Sequence, residues 1–213
     1  MFKKWLENYK KIAQRAWILL SKPEMGWRIV ADEQASSKQV TQEYVIPFLV
    51  LCVLAEFLGY VFNGAAGIRF AFIKAIFSAM ALFGSWWISV KACKYLVQRF
   101  HKKEISDAVS HTLVSYSFTV VFLLNIVLAF FPSLFFLALL GVYTLYIVFV
   151  GVGVILDIEE NSRGKLSMSL SVLIIFMPIL IGWVLGKLLP FIATRLCMIC
   201  LMIRVLLVAT SFP

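Results

Sequence analysis

Five long apolar runs constrain the fold of this chain more than any other feature. They cover residues 44–62, 70–97, 109–131, 134–156 and 166–189. A helix needs about 20 apolar residues to cross roughly 30 Å of hydrocarbon, and its backbone must satisfy its own hydrogen bonds there. Of the 213 residues, 62% are hydrophobic and only 15% are charged, far from the balance of a soluble domain. We therefore predict an all-α, polytopic membrane protein with five transmembrane helices.

Composition divides the chain into three parts. Residues 1–43 are polar and amphipathic and are predicted to be cytosolic, residues 44–190 hold the five spans, and residues 191–213 form an apolar tail. Arg195 and Arg204 interrupt the tail, and an arginine at the centre of a span costs roughly 2.5–3.5 kcal/mol. We expect the tail to lie along the membrane interface or to pack poorly, with a sixth span as the alternative.

The first twenty residues predict an amphipathic helix, because apolar side chains recur on one face at spacings of three and four. That face comprises Phe2, Trp5, Leu6, Tyr9, Ile12, Ala13, Ala16, Trp17 and Leu20. Aromatic residues opposite lysines are typical of a helix that lies in the membrane interface. The predicted membrane-surface residues are Trp5, Lys10, Lys11 and Trp17. The alternative is a helix that packs on the protein's own loops.

Pro23 ends this helix, because a proline pushes the residue before it out of the α region. A second helix is expected from Pro23 to about Asp32, with the proline in its first turn. Its few apolar residues, Trp27 among them, predict that it rests on the membrane surface or on other loops.

Lysines and arginines predict the orientation of the spans. Eight precede the first span and five accompany the loop after the second, whereas the turn after the third holds none. Positive residues stay on the cytosolic side. We therefore predict a multi-pass protein of the cell inner membrane with a cytoplasmic N-terminus. The formal charge of +9 favours the lipid bilayer, through its anionic headgroups, as a partner, and not nucleic acid.

Glu56 is a carboxylate inside an otherwise apolar run, LCVLAEFLGY. Lys74 lies on a stripe of small residues on the second span, near the same non-cytosolic end. One short turn joins the two spans, so they must be neighbours, and we predict a structural Glu56–Lys74 pair across their interface. A protonatable site in a transport path and a glutamate that snorkels to nearby water are the alternatives.

Small residues predict where spans approach closely. Gly182 and Gly186 form the motif GWVLG on the fifth span, which predicts helix packing. Asn125 is predicted to join helices by hydrogen bonds. Cys197 and Cys200 form a CxxC motif, but no second ligand pair accompanies them. The sequence carries no phosphate-binding glycine loop and no HExxH or GxSxG motif, so we predict no enzyme activity, metal or cofactor.

Several motifs together resemble a known family. They are KPEMGW before the first span, YVIPFLVL at its start, VSYSF in the third span, the turn FFPSLFF, and GVYTLYIVFVGVGV in the fourth. The chain is similar over residues 21–190 to the bacterial branch of the YIP family, the Ypt/Rab-interacting integral membrane proteins. Val120 departs from the family pattern, which often has a proline there, and the tail lies outside the resemblance.

The resemblance implies five spans and a cytosolic N-terminus. Eukaryotic relatives bind prenylated Rab-type GTPases and help shape transport vesicles, whereas bacterial relatives have no agreed activity. We therefore predict a non-enzymatic membrane scaffold or partner-binding protein. Its partner is an unknown membrane or cytosolic protein, or a second copy of the chain. A small-solute or ion permease with Glu56 in its path is the alternative, and a membrane-embedded enzyme is a third.

Overall fold

The computed structural model describes the backbone of residues 2–63, 67–101, 104–156 and 160–209, and the side chains of residues 7–63, 67–100, 104–156 and 163–187. Within these residues the chain is all helical and has no strand. Five of the described helices are long and apolar enough to cross a membrane. They are spans 1 to 5: Ser37–Phe62, Ile68–Phe100, Asp107–Phe130, Pro132–Leu156 and Arg163–Lys187. The prediction of a five-span, all-α protein is confirmed.

Two helices precede the spans, α1 (Phe2–Ser21) and α2 (Pro23–Asp32). The bounds of α2 are those predicted, with Pro23 at its first position. Short connections make successive spans run in opposite directions. We call the side of the bundle that carries the starts of spans 1, 3 and 5 the near side, and the opposite side the far side. On the near side, α2 packs against span 4 and α1 packs against α2.

The helix that contains span 5 continues well beyond the span, from Glu160 to Ala209. Much of the apolar tail is therefore helical. The side chains of Arg195 and Arg204, and the predicted CxxC cysteines, lie outside the described side chains. Whether the tail lies on the membrane surface or spans it stays a prediction.

Span 1 starts at Ser37, earlier than the apolar run. Ser36 caps it. The Ser36 hydroxyl accepts a hydrogen bond from the Gln39 backbone N–H at 3.3 Å, and the Gln39 side-chain oxygen accepts one from the Ser36 backbone N–H at 3.0 Å. The helix then widens into a π-helical turn at Thr41–Val45. Pro47 explains this turn, since it offers no N–H to the preceding turn and its ring crowds that turn. The wide turn directs Tyr44 and Val45 into the core.

Span 3 bends at Phe118, which separates the helices Asp107–Ser117 and Thr119–Phe130. The Thr119 hydroxyl donates to the Tyr116 carbonyl at 2.5 Å, and such side-chain bonds to the preceding turn bend helices. Ser106 caps this span, because its Oγ atom accepts a hydrogen bond from the Val109 backbone N–H at 3.3 Å.

Span 4 begins as a 3₁₀ helix at Pro132–Val142 and continues as an α-helix at Tyr143–Leu156. Only Phe131 separates it from span 3, so the turn within FFPSLFF is tight. Eleven residues at about 2.0 Å and fourteen at about 1.5 Å give a length of about 43 Å. The hydrocarbon layer is roughly 30 Å thick, so span 4 is long enough to extend beyond this layer toward α1 and α2.

Aromatic side chains fill the near half of the bundle. We call the near-side core the cluster of fully buried rings of Trp27, Tyr44, Tyr116, Phe118 and Phe122. Each polar tip that this cluster buries has a partner: Trp27 Nε1 donates to the Ile147 carbonyl at 2.9 Å, and Tyr44 Oη lies 2.7 Å from Thr119 Oγ1. α2 therefore does not rest on the surface, because Trp27 inserts into the bundle with 0% exposure.

A glycine makes the insertion of Trp27 possible. The Trp27 ring occupies the place where a Cβ at residue 151 would lie, so Gly151 is the residue that lets α2 approach span 4. This contact also explains why a helix as short as α2 is stable: its large side chain is buried by a span instead of by its own neighbours.

The apolar face of α1 is divided between protein and surroundings. Ile12, Ala16 and Leu19 are buried, and in the described part of the chain α1 packs against the helix α2 and not against loops. Trp17 is 71% exposed, and Lys10 and Lys11 are exposed as well. The side chain of Trp5 lies outside the described side chains.

Candidate functional site

A cavity of about 360 Å³ opens between spans 1, 2 and 3 at the far side. It is lined by Glu56, Gly59, Tyr60, Asn63, Lys74, Asn125, Leu128, Ala129 and Pro132. A second cavity of about 180 Å³ adjoins it and extends toward span 5, where Pro178, Gly182 and Gly186 line it. Glu56, Lys74 and Asn125 line both cavities, and we call these three side chains the polar triad.

Glu56 lies on span 1 beside Cys52, Gly59 and Asn63, and these three residues contact span 3. Cys52 Sγ donates to the Phe122 carbonyl at 3.4 Å, and Asn63 Nδ2 reaches the Phe130 carbonyl at 3.5 Å. A Cβ at Gly59 would collide with the Ala129 carbonyl, so only glycine permits this approach. The sequence predicts Glu56 at the interface between spans 1 and 2. The close contacts of its three neighbours are with span 3, which turns Glu56 toward the space that the three spans share.

Span 2 places Lys74 across that space from Glu56. Ala71 and Ala75 flank the lysine and are buried, as the small-residue stripe predicts. Glu56 and Lys74 interact electrostatically, but no ion pair within 4.0 Å joins them among the described side chains. The structural Glu56–Lys74 pair therefore stays a prediction, and any pairing acts across the cavity in this conformation.

Asn125 completes the polar triad from span 3. Its Oδ1 atom is buried and has no hydrogen-bond partner among the described atoms, although the sequence predicts a bond between helices there. A buried amide oxygen without a donor is costly. The triad thus combines an anion, a cation and an unsatisfied acceptor around one cavity. The described residues include no cluster of three or more His, Cys, Asp or Glu side chains that could hold a metal ion.

The predicted packing glycines of span 5 line the second cavity and make no close approach to another helix among the described residues. No heavy atom lies within 4 Å of a Cβ built on Gly182 or Gly186. Gly59 and Gly151 make the close approaches instead. The packing role of Gly182 and Gly186 stays a prediction, which a partner outside the described residues would have to satisfy.

Several hydroxyl groups are buried without a partner nearer the near side. They belong to Ser89, Ser117, Thr144, Ser167 and Ser171. They lie on spans 2, 3, 4 and 5, so polar atoms continue below the cavities. Leu82, which lines the second cavity, and Ile174 are buried apolar side chains of spans 2 and 5.

A family model for the Yip1 domain matches residues 17–184. The chain belongs to the Yip1 family. The match covers most of the chain and confirms the family resemblance. No curated protein and no solved structure matches the chain. With five candidate spans, this Yip1-family protein is a multi-pass membrane protein.

The Yip1 match includes both regions described above. It contains Trp27 and Gly151 of the near side and the whole polar triad of the far side. Sequence reasoning found Glu56 and Lys74 but missed Trp27, Tyr44 and Tyr116 as core residues. The signal for them was present, because a buried tryptophan or tyrosine needs a partner for its polar tip and a glycine-rich span offers room for the ring.

Proposed function

We propose that this Yip1-family protein is a non-enzymatic membrane scaffold that binds a protein partner on its near side. One observation carries the proposal: α1 and α2 are fastened to the bundle while their outer faces remain exposed. Trp27 holds α2 to span 4, and the Tyr143 hydroxyl donates to the Leu20 carbonyl at 2.8 Å, between the two helices. A surface held in this way is organised before a partner arrives, which lowers the entropic cost of binding.

The outer faces have the chemistry of a binding surface. Met25 and Ile29 of α2 are 51% and 39% exposed, and Glu24 and Arg28 beside them are exposed charges. Isolated apolar side chains among charges are common on protein surfaces. Here they lie together on one short helix whose opposite face is fixed.

Site-specific photo-crosslinking tests the proposal. A photoreactive amino acid at Met25 should give a discrete protein adduct in native membranes. The matched control is Val184, an exposed residue of span 5 that should meet lipid. An adduct at both positions or at neither would contradict a near-side partner surface.

We propose a cytoplasmic N-terminus and an inner-membrane location, based on the distribution of lysine and arginine. Reporters fused after residues 65 and 132 should lie on the far, non-cytosolic side of the membrane. Reporters fused after residues 103 and 161 should lie on the near, cytosolic side. A cytosolic signal after residue 132 would refute this topology.

We also propose that Lys10, Lys11 and Trp17 contact anionic headgroups, because they are exposed on the side of α1 that does not pack on protein. A nitroxide label at residue 17 should be accessible to oxygen dissolved in lipid. A label at Glu24 should be accessible to a water-soluble relaxation agent instead.

A permease is the second candidate, and the far-side cavities with the buried hydroxyls below them favour it. Flux through purified protein in vesicles tests it. If Glu56 carries protons, Glu56→Gln should abolish a pH-dependent flux without lowering stability. Equal flux in the wild type and in the variant would exclude that role.

A further inference from the structure

We propose that the far-side cavity binds a zwitterion, a group with an ammonium and an anion a few bonds apart. The head of an ethanolamine phospholipid has this chemistry, and so does a free compound such as glycerophosphoethanolamine. The site lies at the opposite end of the bundle from the proposed partner surface. An experiment that excludes this ligand would leave the proposed scaffold function untouched. An experiment that excludes the scaffold function would likewise leave the ligand site untouched.

The charges of the cavity match a zwitterion. Glu56 and Lys74 both line it, yet they form no direct ion pair. A charge that is removed from bulk water needs a partner of opposite sign. A bound zwitterion supplies both partners at once, with its ammonium beside Glu56 and its anionic group beside Lys74.

Asn125 adds a second, independent observation. Its buried Oδ1 accepts no hydrogen bond from the described atoms and lines the same cavity. An ammonium has several N–H donors, so one can bond to Glu56 and another to Asn125 Oδ1. A purely anionic ligand would leave both acceptors without a donor and would place its charge beside the Glu56 carboxylate.

The position of the cavity suits a headgroup. Asn63 and Pro132 line it at the far ends of spans 1 and 4. Glu56 lies about 10 Å from Asn63 along the helix axis, given a rise of about 1.5 Å per residue. The headgroup layer occupies the outer several ångströms of the bilayer, so a headgroup at this end has only a short distance to reach the triad.

The size of the cavity suits a small ligand. Its volume of about 360 Å³ falls within the range of roughly 300–1,000 Å³ that is usual for small-molecule sites. Tyr60 and Leu128 offer apolar contact beside the charged groups. The combination of an apolar wall with a few convergent polar groups is typical of a binding site.

Native mass spectrometry of the purified full-length protein tests the proposal with three probes. They are dioleoylphosphatidylethanolamine, dioleoylphosphatidylglycerol, which lacks the ammonium, and free glycerophosphoethanolamine. We expect one ethanolamine compound to bind at least about tenfold more tightly than phosphatidylglycerol, since an ionic hydrogen bond contributes on the order of that factor. Preference for the lipid identifies a headgroup site, and binding of the free compound identifies a solute site.

Charge-neutral variants locate the binding. Glu56→Gln and Lys74→Met should each reduce ethanolamine binding about tenfold or more. The matched controls are Glu43→Gln and Lys91→Met, exposed residues near the opposite ends of the same two spans, which should bind as the wild type does. Equal binding of phosphatidylethanolamine and phosphatidylglycerol, with no binding of the free compound, would overturn the proposal without any variant. Unchanged binding in both triad variants would overturn it as well.

Discussion

Spans 1 and 3 contribute to both the near-side core and the far-side cavity, but the two regions differ in how they treat buried polar groups. In the near-side core, large rings fill the space, and the buried tips of Trp27, Tyr44 and Tyr116 all have hydrogen-bond partners. In the far-side cavity, Glu56, Lys74 and Asn125 surround open space, and the buried oxygen of Asn125 has no partner among the described atoms. The first arrangement suits stability. The second leaves polar groups available to a ligand such as the zwitterion proposed above.

The glycines also show where helices approach closely and where they do not. Gly59 and Gly151 have no room for a Cβ, because the Ala129 carbonyl and the Trp27 ring occupy its place. Gly182 and Gly186 have no atom within 4 Å of that place. Helix contacts in lipid depend on such close approach, so the motif GxxxG alone does not identify the contacting face.

The largest effect should come from emptying the near-side core. Trp27→Ala removes a fully buried ring and leaves the Ile147 carbonyl without its donor. Truncation of a buried tryptophan costs about 3–5 kcal/mol. Unfolding by denaturant in detergent micelles should show a loss of that size. Trp17→Ala is the control, and its 71% exposure predicts a change within about 0.5 kcal/mol. Equal effects of the two changes would contradict the insertion of Trp27.

The second effect compares two glycines under one substitution. Gly59→Ala forces the added methyl against the Ala129 carbonyl, and such overpacking costs about 1–3 kcal/mol. Gly182→Ala meets no atom in the described structure and gains helix propensity, so it should be neutral or slightly stabilising. Thermal unfolding of both variants in detergent measures the difference. A large loss at Gly182 would indicate that a partner packs there.

The third effect concerns the ion pair that joins α1 to the end of α2. Arg15 donates to the Glu33 carboxylate and, at 2.9 Å, to the Tyr116 hydroxyl. The two charged side chains remain 35% and 34% exposed, so a double-mutant cycle should give a coupling of about 0.5–1 kcal/mol that falls with added salt. The Lys94–Asp107 pair is more exposed and serves as the control, with a smaller coupling. A coupling that salt does not change would contradict this account.

The Arg15 pair should not make stability depend on pH in the neutral range. Burial lowers the pKa of Arg15, but Tyr116 and Glu33 more than offset burial, so its pKa is raised above the ordinary value. A raised arginine pKa stabilises the fold below the pKa of the unfolded chain and loses that effect only as pH rises through the folded value. Both values lie far above neutral pH.

The smallest effect should come from the polar triad itself. Because Glu56 and Lys74 make no direct contact, the cycle of Glu56→Gln and Lys74→Met should show a coupling under about 0.5 kcal/mol in lipid-free detergent. A coupling near 3 kcal/mol would indicate instead the direct buried pair that the sequence predicts. Thermal unfolding of the four proteins measures it, and ethanolamine lipid should increase the coupling.

The sequence predicts the spans well, because hydrophobic length and proline positions are local properties. The bounds of α2 and the turn at Phe131 follow from Pro23 and Pro132 alone. Which spans contact each other is harder to predict from the sequence. The side of span 1 that carries Glu56 contacts span 3, although span 2 is the next span in the chain. Trp27 illustrates the limit: its burial depends on Gly151, and nothing local relates the two residues.

Sequence reasoning also found the charges of the candidate site but not its shape. Glu56 and Lys74 are conspicuous because charges are rare in spans. Which side chains share the cavity depends on how the spans pack, as where Gly59 lets span 1 approach span 3, and that packing is a tertiary property. The same holds for Asn125, whose hydrogen bonding depends on which atoms the neighbouring spans bring within reach.

The insertion of Trp27 has a consequence for biosynthesis. Trp27 and its acceptor Ile147 are 120 residues apart in the chain. At a synthesis rate of roughly 5–20 residues per second, α2 leaves the ribosome about 6–24 seconds before its docking site on span 4 exists. During that interval the tryptophan and the apolar side of α1 have no bundle to cover them, and the membrane surface beside the ribosome is the nearest apolar phase. The order of translation therefore makes docking of the N-terminal helices one of the last steps in the maturation of this protein.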